Sequence, residues 1–374
     1  VDSILYYLGF NRVPGIGTAR LDRIITHCSS LESAWHASVS DLMAAGLDSR
    51  SIESLIQTRR TLDLEAEYER AISAGIRLIS RDDPDYPALL AQTTNPPFLL
   101  YVRGTLTDTD RWAVAVVGTR QASTYGKEVT RKLVADLVAA GVTIVSGLAL
   151  GIDAVAHGAA LAAGGRTLAV LGSGVDQIYP QTNLPLGTTI PQQGALISEY
   201  PIGTLPAASN FPPRNRLIAG LALGVLVVEA ATKSGALITA QFAVEQGRDV
   251  FAVPGNIFSL RSQGTHQLIK DGATLVTSAD DVLEALNLQL AFEQQTIAAV
   301  LPETPEEIAL LRVVEAEPRH IDLLTRESAL PPPVVSSTLA MLELKGLVRQ
   351  VGGMQYVLVR EEVAPYCVES QQDA

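Results

Sequence analysis

Short amphipathic runs, interrupted by Pro14-Gly15-Ile16-Gly17, by Gly46 and by Ser and Asp positions suited to helix capping, predict a small bundle of helices from Ser3 to about Leu64. Over 76–110 the apolar runs shorten and are cut by prolines, which predicts an irregular connector with one or two extended pieces. Beyond it the pattern changes to near-continuous Val, Ile, Leu and Ala runs alternating with longer helical stretches. The strands this predicts are Ala113 to Val117, Thr143 to Ser146, Thr167 to Leu171, Ala195 to Ser198, Val225 to Glu229, Val250 to Val253 and Thr274 to Val276. Runs of this kind suit strands buried on both faces, and strand-helix alternation implies a doubly wound, mostly parallel sheet of the Rossmann-like α/β class.

A Gln-, Glu- and Pro-rich stretch then separates this region from a last pattern of three helices and a β-hairpin turning at Gly352-Gly353, the order of a winged helix. The expected domains are a helical module over 1–75, of the SAM or helix-hairpin-helix kind, a connector over 76–110 and a Rossmann-like domain over 111–288. A linker over 289–305, a winged-helix-like domain over 306–362 and a tail over 363–374 follow. In winged helices the third helix enters the major groove. Here it falls near Pro332 to Leu344 and is expected to expose Ser336, Ser337, Thr338, Glu343 and Lys345. So sparse a basic complement reads as a partner-binding or dimer-supporting module in place of a DNA reader.

Length and composition agree with this division. The 374 residues exceed one ordinary core, and a 47% hydrophobic, 18% charged chain has enough apolar surface to pack compactly. Cys28 and Cys367 lie near opposite ends without zinc-ligand or redox spacing, which suits a reducing cytosol. The first residues have no basic stretch before their short apolar run, and the longest apolar stretches fall short of bilayer length, so neither a visible secretion signal nor a membrane span is expected.

The net charge of −12 weighs against nucleic acid until its distribution is considered. Residues 1–110 hold 10 basic and 15 acidic side chains, 111–290 hold 12 of each, and 291–374 hold 6 and 13. The middle is the segment whose average charge does not repel a polyanion.

Ligands of doubly wound sheets bind beyond the carboxyl ends of the strands. There the first strand runs into Gly118-Thr119-Arg120, with Ser123 and Thr124 placed to cap the next helix; a free helix end and a planar guanidinium predict an anion site. The second strand runs into Ser146 and Gly147, with Gly151 opening a helix, a second phosphate-sized pocket. The third is followed by Gly172 and Gly174 around Ser173, with Tyr179 placed either to stack or to fill core. Arg214 and Arg216 flank Asn215 at another helix start, and Lys233-Ser234-Gly235 precede a further helix. The two arginines are candidates for DNA contact, or else for helix-terminal carbonyls and for Glu199 and Glu229. The Pro14–Gly17 turn could aim amides at a phosphate, but its acidic surroundings favour a tight helix-helix turn. Asp153 and His157 share a helix face. Without a third ligand nearby they read as a buried hydrogen-bonded pair and not as half of a metal site.

No Walker A loop, dinucleotide fingerprint, nucleophile elbow or zinc-protease motif is present. Neither cofactor nor metal is expected. At this point several segments resemble one family in order and spacing: GTR at 118–120, SGLALGIDAVAH at 146–157, VLGSGVDQIYP at 170–180, SEYPIGTLP at 198–206, FPPRNRLIAGL at 211–221, VVEAATKSGALITA at 227–240, VFAVPGN at 250–256 and GTHQLIKDGA at 264–273. They are similar to the DNA-processing protein A (DprA/Smf) family, and the outer modules resemble accessory domains of its members.

The resemblance implies a non-catalytic, cytosolic homodimer that binds single-stranded DNA and helps place RecA recombinase on strands covered by single-strand-binding protein, in DNA uptake and recombination. The phosphate contacts it implies are Arg120, Ser146, Gly147, Gly151, Gly172, Gly174, and Arg214 or Arg216, with Lys233 nearby and Asp153 and His157 as support. Members often carry a cation where this chain has Leu150, and some where it has Gln181; Lys127, Lys233 or the Gly15–Gly17 turn would have to compensate. The competing expectation is a Rossmann-like nucleotide-hydrolysing enzyme, for which Glu199 or Glu229 would be the acid group to test.

Overall fold

The structure, a computed structural model, describes residues 2–288, 304–315, 317–345 and 347–358. The linker expected over 289–305 lies outside these residues except for its last two positions, and the tail over 363–374 lies wholly outside them. The chain divides into two compact units at Leu288.

In the first unit nine strands form one sheet: β1 (Ile76–Ser80), β2 (Leu99–Gly104), β3 (Ala113–Val117), β4 (Thr143–Ser146), β5 (Thr167–Val170), β6 (Gly194–Ser198), β7 (Gly224–Val227), β8 (Asp249–Ala252) and β9 (Thr274–Leu275). Their order is β1-β2-β6-β5-β4-β3-β7-β8-β9. From β6 to β9 every pairing is parallel, while β1 on β2 and β2 on β6 are antiparallel. All seven strands expected from the sequence are present to within two residues at each end. Strands β3 to β7 are buried on both faces, as their unbroken apolar runs require.

One expectation needs correcting. The segment 76–110 is no mere connector, because its two extended pieces are β1 and β2, which carry the sheet past β6. Its prolines fall between these strands, where no ladder hydrogen bond is lost.

The helical module contains Asp2–Asn11, Thr18–Cys28, Leu31–His36, Val39–Ala44, Ser49–Thr61 and Leu64–Ser73. Ser30, Ser38, Asp48 and Asp63 accept hydrogen bonds from first-turn amides, so the polar positions between the apolar runs act as helix starts. The Pro14–Gly17 segment is a helix-helix turn with Gly15 at φ +87°, and Arg20 closes over it by donating to the Gly15 carbonyl at 2.9 Å and pairing with Asp48 at 2.8 Å. The module shares its core with the sheet: Tyr7, Phe10 and Trp35 belong to one buried cluster with Leu99, Tyr101 and Leu196.

The order of the sheet places the functional end. From β3 the chain steps outward through β4, β5 and β6, then crosses back to lay β7, β8 and β9 on the other side of β3. Connections leaving β3 and β7 therefore diverge and open a crevice beyond their carboxyl ends.

In the second unit the helices Pro305–Leu311, Ile321–Ser328 and Pro332–Leu344 pack with a three-stranded antiparallel sheet in which β12 (Gln355–Leu358) lies between β10 (Arg319–His320) and β11 (Val348–Gln350). Val335, Leu339 and Leu342, spaced one helical turn apart, bury the third helix against Leu310, Leu324 and Val348. Gly352 and Gly353, both at positive φ, make the expected wing turn.

Candidate functional site

The helix Thr124–Ala139 starts at the expected cap, with the Ser123 hydroxyl accepting from the Gly126 amide at 3.0 Å. The anion at this helix end is the protein's own. Glu229, just after β7 and 3% exposed, accepts from the Ser123 amide at 2.9 Å and from its hydroxyl at 2.5 Å. A Cβ at Gly126 would stand 2.3 Å from that carboxylate. The positive end of the helix dipole is thus offset internally, which corrects the expectation of a vacant anion site there.

The second predicted pocket is also filled from within. Ser146 is fully buried and donates its hydroxyl to the Val116 carbonyl at 2.7 Å, while Asp153 accepts from the amides of Gly147 at 3.1 Å and Ala149 at 3.4 Å. Between them Leu148 is held at φ +56°, its carbonyl gripped by Asn183 at 2.9 Å. Burial raises the Asp153 carboxyl above its ordinary range, against the opposing pull of Arg214 and the loop amides. Gly151, at φ +79°, lets this loop meet the first: a Cβ there would lie 2.2 Å from the Thr119 carbonyl oxygen.

Asp153 and His157 are both buried, but each has other partners, which corrects the expected pairing of the two. The His157 Nδ1 lies 2.6 Å from the Thr167 hydroxyl, which donates its proton to the Ile144 carbonyl at 2.9 Å, so Nδ1 is the donor. Burial, with Arg214 adding to it, lowers this imidazole to about 3 and keeps it neutral.

In the third loop the Gly172 carbonyl accepts from Asn210 at 3.2 Å, and the Gly174 amide donates to the Thr204 carbonyl at 2.9 Å. Both glycines permit close packing. A Cβ at 172 would meet the Phe211 ring at 2.9 Å, and one at 174 would meet the Pro201 carbonyl oxygen at 2.8 Å.

The two arginines of the helix Phe211–Gly220 take separate places. Arg214 is 4% exposed and donates through Nη1 to the carbonyls of Gly147, at 2.7 Å, and Val170. Burial lowers its guanidinium to about 10, with Asp153 opposing. It ties the ends of β4 and β5 together while facing the crevice. Arg216 pairs with Glu199 and donates to the Asn95 carbonyl at 2.8 Å, so it fulfils the structural alternative and is not an uncommitted cation.

Uncommitted cations stand elsewhere. Arg120 and Lys233 are exposed, and neither makes a hydrogen bond or an ion pair among the described residues. Both line the crevice, a cavity of about 730 Å³ shared with Ala149, Tyr179, Phe211 and Arg214. Phe211 is the residue that sequence reasoning missed. Its ring has the Arg120 guanidinium at 5.6 Å, that of Arg214 at 5.9 Å and the Tyr179 ring at 5.9 Å. The available signal was a large aromatic at the start of the helix that carries both arginines. Leu150 and Tyr179, each nearly half exposed, stand at the mouth of a smaller pocket over Phe211. No group of three or more potential metal ligands occurs among the described residues.

Compared with known families, residues 77–287 match the model of DNA recombination-mediator protein A, and 294–354 match the DprA winged helix domain. The chain belongs to the DprA/Smf family. Smf of a Synechocystis strain is 38% identical over 94% of this chain and 98% of its own length, and Escherichia coli Smf is 44% identical over 76% and 77%. The crystal structure of Streptococcus pneumoniae DprA superposes with a TM-score of 0.66 at 36% identity, covering 76% of this chain and 97% of its own. A Helicobacter pylori DprA structure, described for its single-stranded DNA binding mode, gives 0.51 at 30%, covering 56% and 95%. The likeness to DprA extends to the mostly parallel sheet and the winged helix, as expected from the sequence.

Proposed function

We propose that this chain is a non-catalytic single-stranded-DNA-binding protein that protects incoming or resected strands and helps load RecA recombinase in DNA uptake and recombination. The observation that carries the reading is the crevice itself, where two uncommitted cations, Arg120 and Lys233, flank an aromatic platform of Phe211 and Tyr179. Cations supply phosphate attraction and aromatic faces stack on any unpaired base, a combination suited to single strands. Ser146, Gly147, Gly151, Gly172 and Gly174 enter this reading as the frame that shapes the phosphate path. Arg214 adds fixed positive charge at its floor. The recombination-mediator family and the DNA-bound mode described for the H. pylori relative support the assignment.

The two carboxylates an enzyme would need favour the non-catalytic reading, since Glu229 is bound to Ser123 and Glu199 to Arg216. Membership of a recombination-mediator family supports the RecA and single-strand-binding protein partnerships and the cytoplasmic setting of this reading. Homodimerisation has local support: Phe258 is 89% exposed, Ile257 and Leu260 are largely exposed, and among the described residues β9 ends the sheet with one side unpaired. Phe258→Asp should halve the mass found by light scattering; an unchanged mass would remove this patch from the interface.

Fluorescence anisotropy with a labelled oligonucleotide tests the central reading. The single strand should bind at least about tenfold more tightly than its duplex at equal salt, because paired bases cannot reach the aromatic platform. Equal affinity for both would contradict it.

A further inference from the structure

The helical module reaches the crevice through one segment of chain. After β6 the backbone passes through Glu199 to Thr204, runs on to Pro206 and Ala208 in the crevice wall, and enters the helix that bears Phe211 and Arg214. The module grips this segment at two carbonyls. Asn11 donates to the Glu199 carbonyl at 3.1 Å, with its own side-chain oxygen held by the Tyr101 hydroxyl at 3.1 Å. Arg12 and Arg70 converge on the Ile202 carbonyl, each donating through Nη2, at 3.1 and 3.2 Å. One buried carboxylate, Glu67, pairs with both guanidinium groups and so fixes two cations against a single backbone oxygen.

Charge-assisted bonds of this kind are roughly twice as strong as neutral ones, and two of them converge on the Ile202 carbonyl. Other polar links from the module, such as Tyr7 to Asp82 and Thr18 to the Pro96 carbonyl, reach the β1–β2 region and already attach it to the sheet. Attachment alone therefore does not account for the second group. The gripped segment is coupled onward to the crevice. Glu199 pairs with Arg216, and the Tyr200 hydroxyl donates to the Asn210 carbonyl at 3.3 Å, so both contacts fall on or beside the helix that starts at Phe211.

We propose that Asn11, Arg12 and Arg70, held by Glu67, are positioning residues that set the place of Phe211 in the DNA-binding crevice. The helical module is then part of the binding site without touching the ligand. The inference rests on the crevice being the single-strand site. Arg120 and Lys233 lie on other loops, so loosening the grip should disturb the stacking platform and leave the outer cations in place.

The test uses the full chain carrying Arg12→Met, Glu67→Gln and Arg70→Met together, which removes the grip without leaving a buried unpaired carboxylate; Asn11→Ala is the milder second variant. Hydrogen exchange is followed at the two amides that join this segment to the third loop, Gly174 donating to the Thr204 carbonyl and Gly203 donating to the Asp176 carboxylate, and binding is followed with an oligonucleotide carrying 2-aminopurine. Faster exchange at both amides is expected, with roughly tenfold weaker binding, a smaller 2-aminopurine response and an unchanged salt slope. Arg12→Lys alone should retain most of the affinity. A merely structural role would lower thermal stability while the folded protein kept its affinity and 2-aminopurine response, and that result overturns the proposal. So does unchanged exchange at Gly174 and Gly203. If the wild-type chain itself fails to bind the single strand, the reading of the crevice fails, and the exchange measurement still decides whether the grip orders the segment.

Discussion

Gly147 has no side chain because Arg214 fills the space one would occupy, with Nη2 2.7 Å from where a Cβ would stand. That guanidinium is buried and bonded to the ends of two strands, so it has little freedom to withdraw. Gly147→Ala is expected to destabilise the fold by about 2–3 kcal/mol, the usual scale for overpacking joined to a lost charged hydrogen bond. Thermal or urea unfolding reads this directly, and a change within about 0.5 kcal/mol would show that Arg214 can relocate at little cost. At this scale the residue types were legible in the sequence and their partners were not. Glycines after parallel strands suit close approach by a ligand, but Gly147, Gly151 and Gly172 instead accommodate Arg214, the backbone of the first loop and Phe211. The pattern shows that something comes near; which atom it is depends on contacts distant in sequence.

Elements were the most legible level, since buried strands and capped helices are set by local patterns. Of the seven expected strands, β3 to β7 form because their apolar runs are buried on both faces, while β8 and β9 extend the sheet with exposed positions at its edge. The misreading of β1 and β2 has a physical cause, as short antiparallel pieces separated by prolines lack the helix-strand alternation that marks a parallel unit. Helix ends were harder to interpret. Ser123 caps as expected and Ser234 also proves to be a cap, yet nothing local reveals that Glu229 occupies the end at Ser123 and leaves the one at Ser234 beside an uncommitted lysine.

The winged helix belongs to the same scale. Its third helix has neither Lys nor Arg and exposes Ser336, Ser337, Ala340, Met341 and Leu344, while the nearby Lys345 is bound to Glu307 at 3.0 Å. A groove-reading helix needs base- or phosphate-directed side chains on that face. Truncation before residue 304 should therefore change single-strand affinity by less than about twofold in anisotropy titrations, whereas a tenfold loss would make this domain a direct DNA contact.

For the whole molecule, the net charge of −12 is a poor guide to its ligand, because the excess negative charge lies in the two ends of the chain. What matters is local: an exposed guanidinium and an exposed ammonium in a crevice whose nearest carboxylate, Asp153, is turned into its own loop. Long-range repulsion of a polyanion is screened within about 10 Å at 0.1 M salt, so a small basic site can act within an acidic protein. The same reasoning makes affinity strongly dependent on salt. The most direct measurement is the slope of log affinity against log salt for a short single strand, for wild type and for Arg120→Ala. The crevice reading predicts weaker binding by the variant and a slope shallower by about 0.7, the release expected from one lost phosphate contact. Weaker binding with an unchanged slope would mean that Arg120 does not meet a phosphate, and unchanged binding would place the DNA somewhere other than this crevice.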